Sequence, residues 1–189
     1  MLRSLAVSLA LLAASLSALA ADNYKVDPIH STSVFKIKHA NTANFYGRFN
    51  GPTGSFSLDP ADVTKSSFTI ELNANNVDTN NPQRDAHLKS PDFFNAKQYP
   101  TITFKSKSVK AGSAANMLEV TGDLTMHGVT KSVMISVELT GKGEFPPGTQ
   151  RAGVEATFTV KRSEFDMSKM IGPVGDEVRL VVALEGVKQ

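Results

Sequence analysis

At 189 residues and without a single cysteine, the chain is sized for one domain and can use neither disulfides, thiolate chemistry nor Cys-ligated metal. Its formal net charge is +2, with no Lys/Arg run, which excludes the basic footprint of a nucleic-acid binder and gives no sign of an acidic partner. The first twenty residues read as a cleaved secretory signal peptide: Arg3, then an apolar run, then the small-residue site Ala18-Leu19-Ala20. That run is short for a membrane span, and no second one follows. The domain is therefore expected over 21–189, exported to a bacterial periplasm or secreted.

Strand-like alternation then repeats along the chain. Residues 33–39 place Ser33, Phe35, Ile37 and His39 on one face, with Val34, Lys36 and Lys38 opposite. Residues 44–50 offer Phe45, Gly47 and Phe49; 54–59 offer Phe56 and Leu58; 67–73 offer Phe68, Ile70 and Leu72. After residue 100 come Ile102 and Phe104, then Leu118, Val120 and Leu124, then Val133, Ile135, Val137 and Leu139. The last two runs present Val154, Ala156, Phe158 and Val160, and Val178, Leu180, Val182 and Leu184. All nine prolines fall at run ends or in gaps, where a missing N–H breaks no ladder. Eight or nine strands with one apolar face each predict a single all-β antiparallel unit, a sandwich or a closed barrel.

One stretch departs from the alternation. TNNPQRDAHLKSPDFF, residues 79–94, crowds Arg84, Asp85, His87 and Lys89 ahead of two phenylalanines. Asn81 can cap a helix that Pro82 starts, so a short helical insertion is expected near residues 82–97, with Ser90-Pro91-Asp92 starting a second turn. A charged helix cannot cross a barrel interior without burying ions at several kcal/mol each, but it can lie over the mouth. The stretch is therefore expected to be a lid, with Leu88, Phe93 and Phe94 pointing inward and Arg84 at the rim, paired with a carboxylate or a ligand head group.

Tests for chemistry return little. There is no G-x-S-x-G elbow, phosphate loop or dinucleotide fingerprint. His30, His39, His87 and His127 show no metal-ligand spacing, although a composite site in space stays open. Asp85, Asp92, Asp123, Glu164 and Asp166 are scattered, so an acid/base pair is neither indicated nor excluded. Arg84 with Asp85 reads first as a structural pair, and His127 in MHGVT as a hairpin-turn histidine. Phenylalanine outnumbers tyrosine by 11 to 3 and tryptophan is absent. A Phe-lined eight-stranded barrel is close to the size that either fills with side chains or holds one ligand; composition leaves both open.

The ordered set HS (30–31), FKIKH (35–39), YGRF (46–49), RDAHLKSPDFF (84–94), YPTITF (99–104), GDLTMHGVTK (122–131), RAGVEA (151–156) and EVRLVVALEGV (177–187) resembles the YceI family of exported bacterial polyisoprenoid-binding proteins. It covers essentially the whole chain after the leader, with Ser132 standing where the family often has proline. The resemblance implies an eight-stranded antiparallel lipocalin-like barrel closed by a helix near RDAHL. It implies a tunnel for an isoprenoid, quinone-type or fatty-acyl lipid, no catalytic residues, no metal or cofactor beyond that lipid, and a b-type cytochrome as a partner; monomer and dimer stay open.

On that basis the expected chain-lining residues are Phe35, Ile37, Phe45, Phe49, Phe68, Ile70, Phe93, Phe94, Phe104, Ile135 and Phe158. Arg84, His87 and Arg151 are the candidates for the head group or rim. Two other readings stand beside a lipid carrier. One is an enzyme acting on a barrel-bound lipid, with His87 or His127 as base and Asp85 as orienting group. The other is an interaction or stress protein whose barrel is filled.

Overall fold

The computed structural model describes residues 21–189. The expected signal peptide, residues 1–20, lies outside them. Eleven strand segments alternate with turns: β1 (Asp22–Val26), β2 (Thr32–His39), β3 (Ala43–Phe49), β4 (Thr53–Leu58), β5 (Ser67–Asn73), β6 (Val77–Asp78), β7 (Thr101–Ala111), β8 (Met117–Met126), β9 (Val129–Glu144), β10 (Gln150–Lys161) and β11 (Val174–Lys188). One helix, α1 (Pro82–Lys89), lies between β6 and β7.

The segments resolve into eight staves. β1 pairs with β4 while β2 pairs with β3, and β4 pairs with β5 while β3 pairs with β6. Each of the first three staves is thus one long strand interrupted at Asp27-Pro28, at Asn50-Gly51-Pro52 and at Ala74–Asn76. Pro28 and Pro52 supply no N–H and Gly51 adopts φ 66°, so the chain bends there instead of pairing on. β11 pairs with β10 on one side and with both β1 and β2 on the other, which closes the ring. All stave pairings are antiparallel, and all but the closing one, between the first and last staves, join sequence neighbours. The protein is an up-and-down barrel of eight staves, as the resemblance implies, and closure gives every stave a neighbour on both sides. β1 adds a strand beyond the alternating runs, burying Tyr24 and Val26.

The inward faces are those the alternation gives: Leu118, Val120 and Leu124 on β8, Ile135 and Val137 on β9, Val154, Ala156 and Val160 on β10 are buried. The interior divides in two. At the end formed by the 59–66, 112–116 and 145–149 turns, Tyr24 stacks on Phe56 at 5.1 Å between ring centres and Phe56 on Phe68 at 6.1 Å. Gly186 makes room for this stack: a Cβ there would stand 2.6 Å from Phe56 Cζ. Toward the other end, inward-facing Phe104, Phe158, Val178, Leu180 and Val182 are only half-buried. Residues that point into a barrel and still keep exposed surface border a cavity.

That second end carries α1 and the β2–β3, β8–β9 and β10–β11 connections. Asn81 caps α1, its side chain accepting from the Arg84 N–H at 3.0 Å, and Pro82 occupies the first turn. The helix stops at Lys89 rather than continuing toward residue 97. Ser90, which precedes Pro91, is driven to extended backbone (φ −73°, ψ 170°), and tight turns follow through Tyr99. His127 and Gly128 form the β8–β9 turn with φ 52° and 77°, the backbone a two-residue hairpin loop requires.

Candidate functional site

A cavity of about 340 Å³ occupies the barrel between the aromatic stack and α1, near the lower end of the range for small-molecule sites. On β10 its lining runs from Val154 to Val160, about 20 Å of strand and roughly 15 Å along a tilted barrel axis, and Arg162 extends it just past the strand end. Twenty-seven of its 32 lining residues are apolar. Period-2 alternation puts these side chains inside. The barrel radius is fixed by eight staves, and the phenylalanine and aliphatic side chains that face the axis leave part of that width unfilled.

All eleven residues expected to line a chain-binding interior border this cavity: Phe35, Ile37, Phe45, Phe49, Phe68, Ile70, Phe93, Phe94, Phe104, Ile135 and Phe158. Phe35 leans over Gly47, where a Cβ would come within 2.3 Å of its ring. Phe93 is buried, and Phe94 meets the edge of Phe49 at 5.3 Å, so both rings close the cavity under α1. Leu88 joins them from the helix. His39 and Met170 line the cavity and are exposed, which places the mouth between the β2–β3 hairpin, α1 and the 167–174 loop.

The polar lining comprises His39, Arg84, His87, Thr103 and Arg162. Arg84 lies at the mouth, but not in an ion pair. Its Nε donates to Thr79 Oγ1 at 2.8 Å and its Nη2 to Thr79 O at 2.6 Å, while the guanidinium stacks 4.3 Å over Phe45. Asp85 turns the other way and accepts from the Thr79 N–H and hydroxyl, so Arg84 and Asp85 share Thr79 instead of each other. His87 pairs with Asp92 at 3.0 Å and packs on the edge of Phe93. The imidazole, with a smaller contribution from Lys169, holds the Asp92 carboxyl below its ordinary value. His127 is remote from His87 in role: its Nδ1 contacts Phe165 O at 3.0 Å and its ring meets Tyr99. It latches the turn, as a hairpin histidine does.

Arg151 does not belong to this site. It pairs with Val187 on β11, beyond the aromatic stack, and its guanidinium bridges Asp27 at 2.9 Å and Glu185. The strand alternation does not show which end of β10 faces the mouth, and only the winding of the barrel settles it. His30 joins the cluster through Asp27 at 2.8 Å. Asp27, His30 and Glu185 bring three metal-competent groups together, but the guanidinium already engages both carboxylates. His30, then Arg151 and the Ile29 N–H, hold the Asp27 carboxyl far below its ordinary value. A depressed carboxyl stabilises the fold above its unfolded value and loses that contribution as the pH falls. The melting temperature is therefore expected to drop between pH 7 and pH 3, and Asp27→Asn to narrow that drop in thermal scans; an unchanged gap would show that the cluster contributes nothing.

Arg162 is the residue that inspection for motifs passes over. It continues the inward parity of Val154, Ala156, Phe158 and Val160 by one step, and that is the signal that points to it. Only 4% of it is exposed. Its donors go to backbone carbonyls, Nε to Gly175, Nη1 to Met167 and Lys169, and Nη2 to Val174. Burial pushes its pKa down, with Asp176 opposing.

A family model described as the YceI-like domain matches residues 24–186. A UPF0312 protein of Pseudomonas aeruginosa is 42% identical over 190 residues, covering 100% of this chain and 97% of its own. The crystal structure of Burkholderia cenocepacia BcnA superposes with a TM-score of 0.76 at 26% identity, over 85% of this chain and 98% of that one. A polyisoprenoid binding domain from Saccharophagus degradans shares the fold at 16% identity, with a TM-score of 0.65 over 88% and 98% of the two chains. Among the described residues, no helix is long and apolar enough to cross a membrane.

Proposed function

The chain belongs to the YceI-like domain family, and from that premise we propose that its barrel is a container for one long apolar lipid, an isoprenoid, quinone-type or fatty-acyl compound, carried or sequestered in the periplasm without chemical change. The observation that carries this reading is the apolar cavity, blind at the aromatic stack and open beside α1. A hydrocarbon chain transferred into such a space gains about 0.8 kcal/mol for each buried CH2 before association costs. The name of the Saccharophagus relative supports the same class of ligand. Periplasmic placement rests on the leader expected in residues 1–20 together with the family resemblance, and a b-type cytochrome partner on that resemblance alone.

A catalytic reading has less to work with. His87 and Asp92 form an exposed pair, and Asp85 is engaged by Thr79 rather than aimed at either histidine. A filled barrel is at odds with the cavity itself.

The test is a plug. Val182 faces the cavity and is half-buried, so Val182→Phe grows into open space. Native mass spectrometry of wild type incubated with a prenyl quinone, and with a fatty acid, is expected to show one bound lipid. The plugged variant should melt no lower than wild type and lose at least about tenfold in affinity, roughly 1.4 kcal/mol. Wild type that takes up neither lipid would sink the reading.

A further inference from the structure

Resting on that container reading, we propose that Arg162 is a head-group site and that the ligand class is an amphiphile with an anionic head, a carboxylate or a phosphate. Among the described residues, the cavity is lined by two guanidiniums and two imidazoles, and by no acidic side chain. Neither guanidinium hydrogen-bonds a carboxylate: Arg84 spends its bonds on Thr79 and Arg162 on the 167–175 loop. A guanidinium has five N–H donors. The backbone carbonyls of Met167, Lys169, Val174 and Gly175 account for four on Arg162. The nearby acid, Asp176, accepts from the Ser163 N–H at 2.9 Å and the Ser163 hydroxyl at 2.7 Å.

A cation buried at the wall of an apolar space is costly unless its charge is met. Backbone dipoles meet it in part. An anionic head brought in on a hydrocarbon chain would meet it fully, in a setting where charge-assisted hydrogen bonds are strong. An uncharged head would leave it as it is. Phe93 places the group in the right spot, since its ring lies 5.9 Å from the Arg162 guanidinium and meets the edge of His87. The aromatic lid, the mouth imidazole and the buried cation are therefore contiguous. The same carbonyl bonds also let Arg162 clamp the 167–175 loop, so the test must separate charge recognition from loop packing.

The experiment compares matched chains on the full protein: a fluorescent polyene fatty acid against its methyl ester, and farnesyl phosphate against farnesol by displacement. In wild type, at least one charged member should bind about tenfold or more tightly than its neutral partner; which pair shows the larger ratio tells a fatty carboxylate from a prenyl phosphate. Arg162→Met should erase that ratio and Arg162→Lys should largely keep it, whereas a loop clamp would weaken both members of a pair alike. If the methionine variant fails to fold, Arg84→Met decides the site: a charged-over-neutral ratio that it leaves unchanged assigns the head to Arg162, and one that it erases overturns Arg162 as the site. Equal binding of charged and neutral members overturns the head-group proposal and leaves the container standing. No binding of any probe removes both.

Discussion

Replacing Phe93 and Phe94 together with alanine should release bound lipid about tenfold faster or more while the barrel keeps its far-ultraviolet circular dichroism. The two rings are held by the turns after α1, not by a stave: Phe93 N–H donates to Ser90 O and Phe94 N–H to Leu88 O. Their contacts reach across the mouth, Phe94 to Phe49 on β3 and Phe93 to His87 and Arg162. Full burial of a phenylalanine side chain is worth about 1.5–3 kcal/mol. Losing even half of that for the two rings eases opening by about 1.4 kcal/mol, which is tenfold in rate. The barrel ladders are untouched by the change. Stopped-flow transfer of a fluorescent lipid to acceptor vesicles measures it directly. An unaltered dissociation rate would mean that residues 82–94 only connect β6 to β7.

The second large effect contrasts the two ends of the barrel. Phe56→Ala should cost about 3–5 kcal/mol, because Phe56 is 2% exposed and sits between Tyr24 and Phe68 in the closed-end stack. For a chain of this size that lowers the melting temperature by about 6–20 °C. Phe158→Ala removes the same atoms from a half-buried ring that borders the cavity. Fewer packed neighbours are lost there, so its cost should be clearly smaller, and it should enlarge the space for ligand. Thermal scans of lipid-free protein settle the comparison. Equal losses at the two positions would show that the upper interior is packed as tightly as the stack.

Much of the barrel is legible in the order of the residues. Alternation assigns each inward face because successive strand residues point to opposite sides whatever the sheet does next. The cap at Asn81, the start at Pro82 and the His127-Gly128 turn are local chemistry, and local chemistry is written in adjacent residues. The family order of motifs then fixes eight staves. The placement of Phe93 and Phe94 under α1 also follows, since a charged helix must stay outside an apolar barrel.

Other features required the closed ring. Parity says that Phe56 and Phe158 both point inward; it does not say that one meets a stack and the other an opening, because what lies opposite depends on stave number and register. The same parity runs through Arg162, whose meaning changes only when the 167–175 loop is seen folded onto it. Arg84 and Asp85 are adjacent in sequence yet both turn to Thr79, a choice made by the approach of β6 to the helix. Arg151 sits on β10, the strand that leads into Arg162, but at its far end, where the return of β11 brings Glu185 and the bend after β1 brings Asp27. Spacing along one strand is local and the sequence determines it; the partner across a barrel is a long-range meeting, and only closure of the chain on itself decides it.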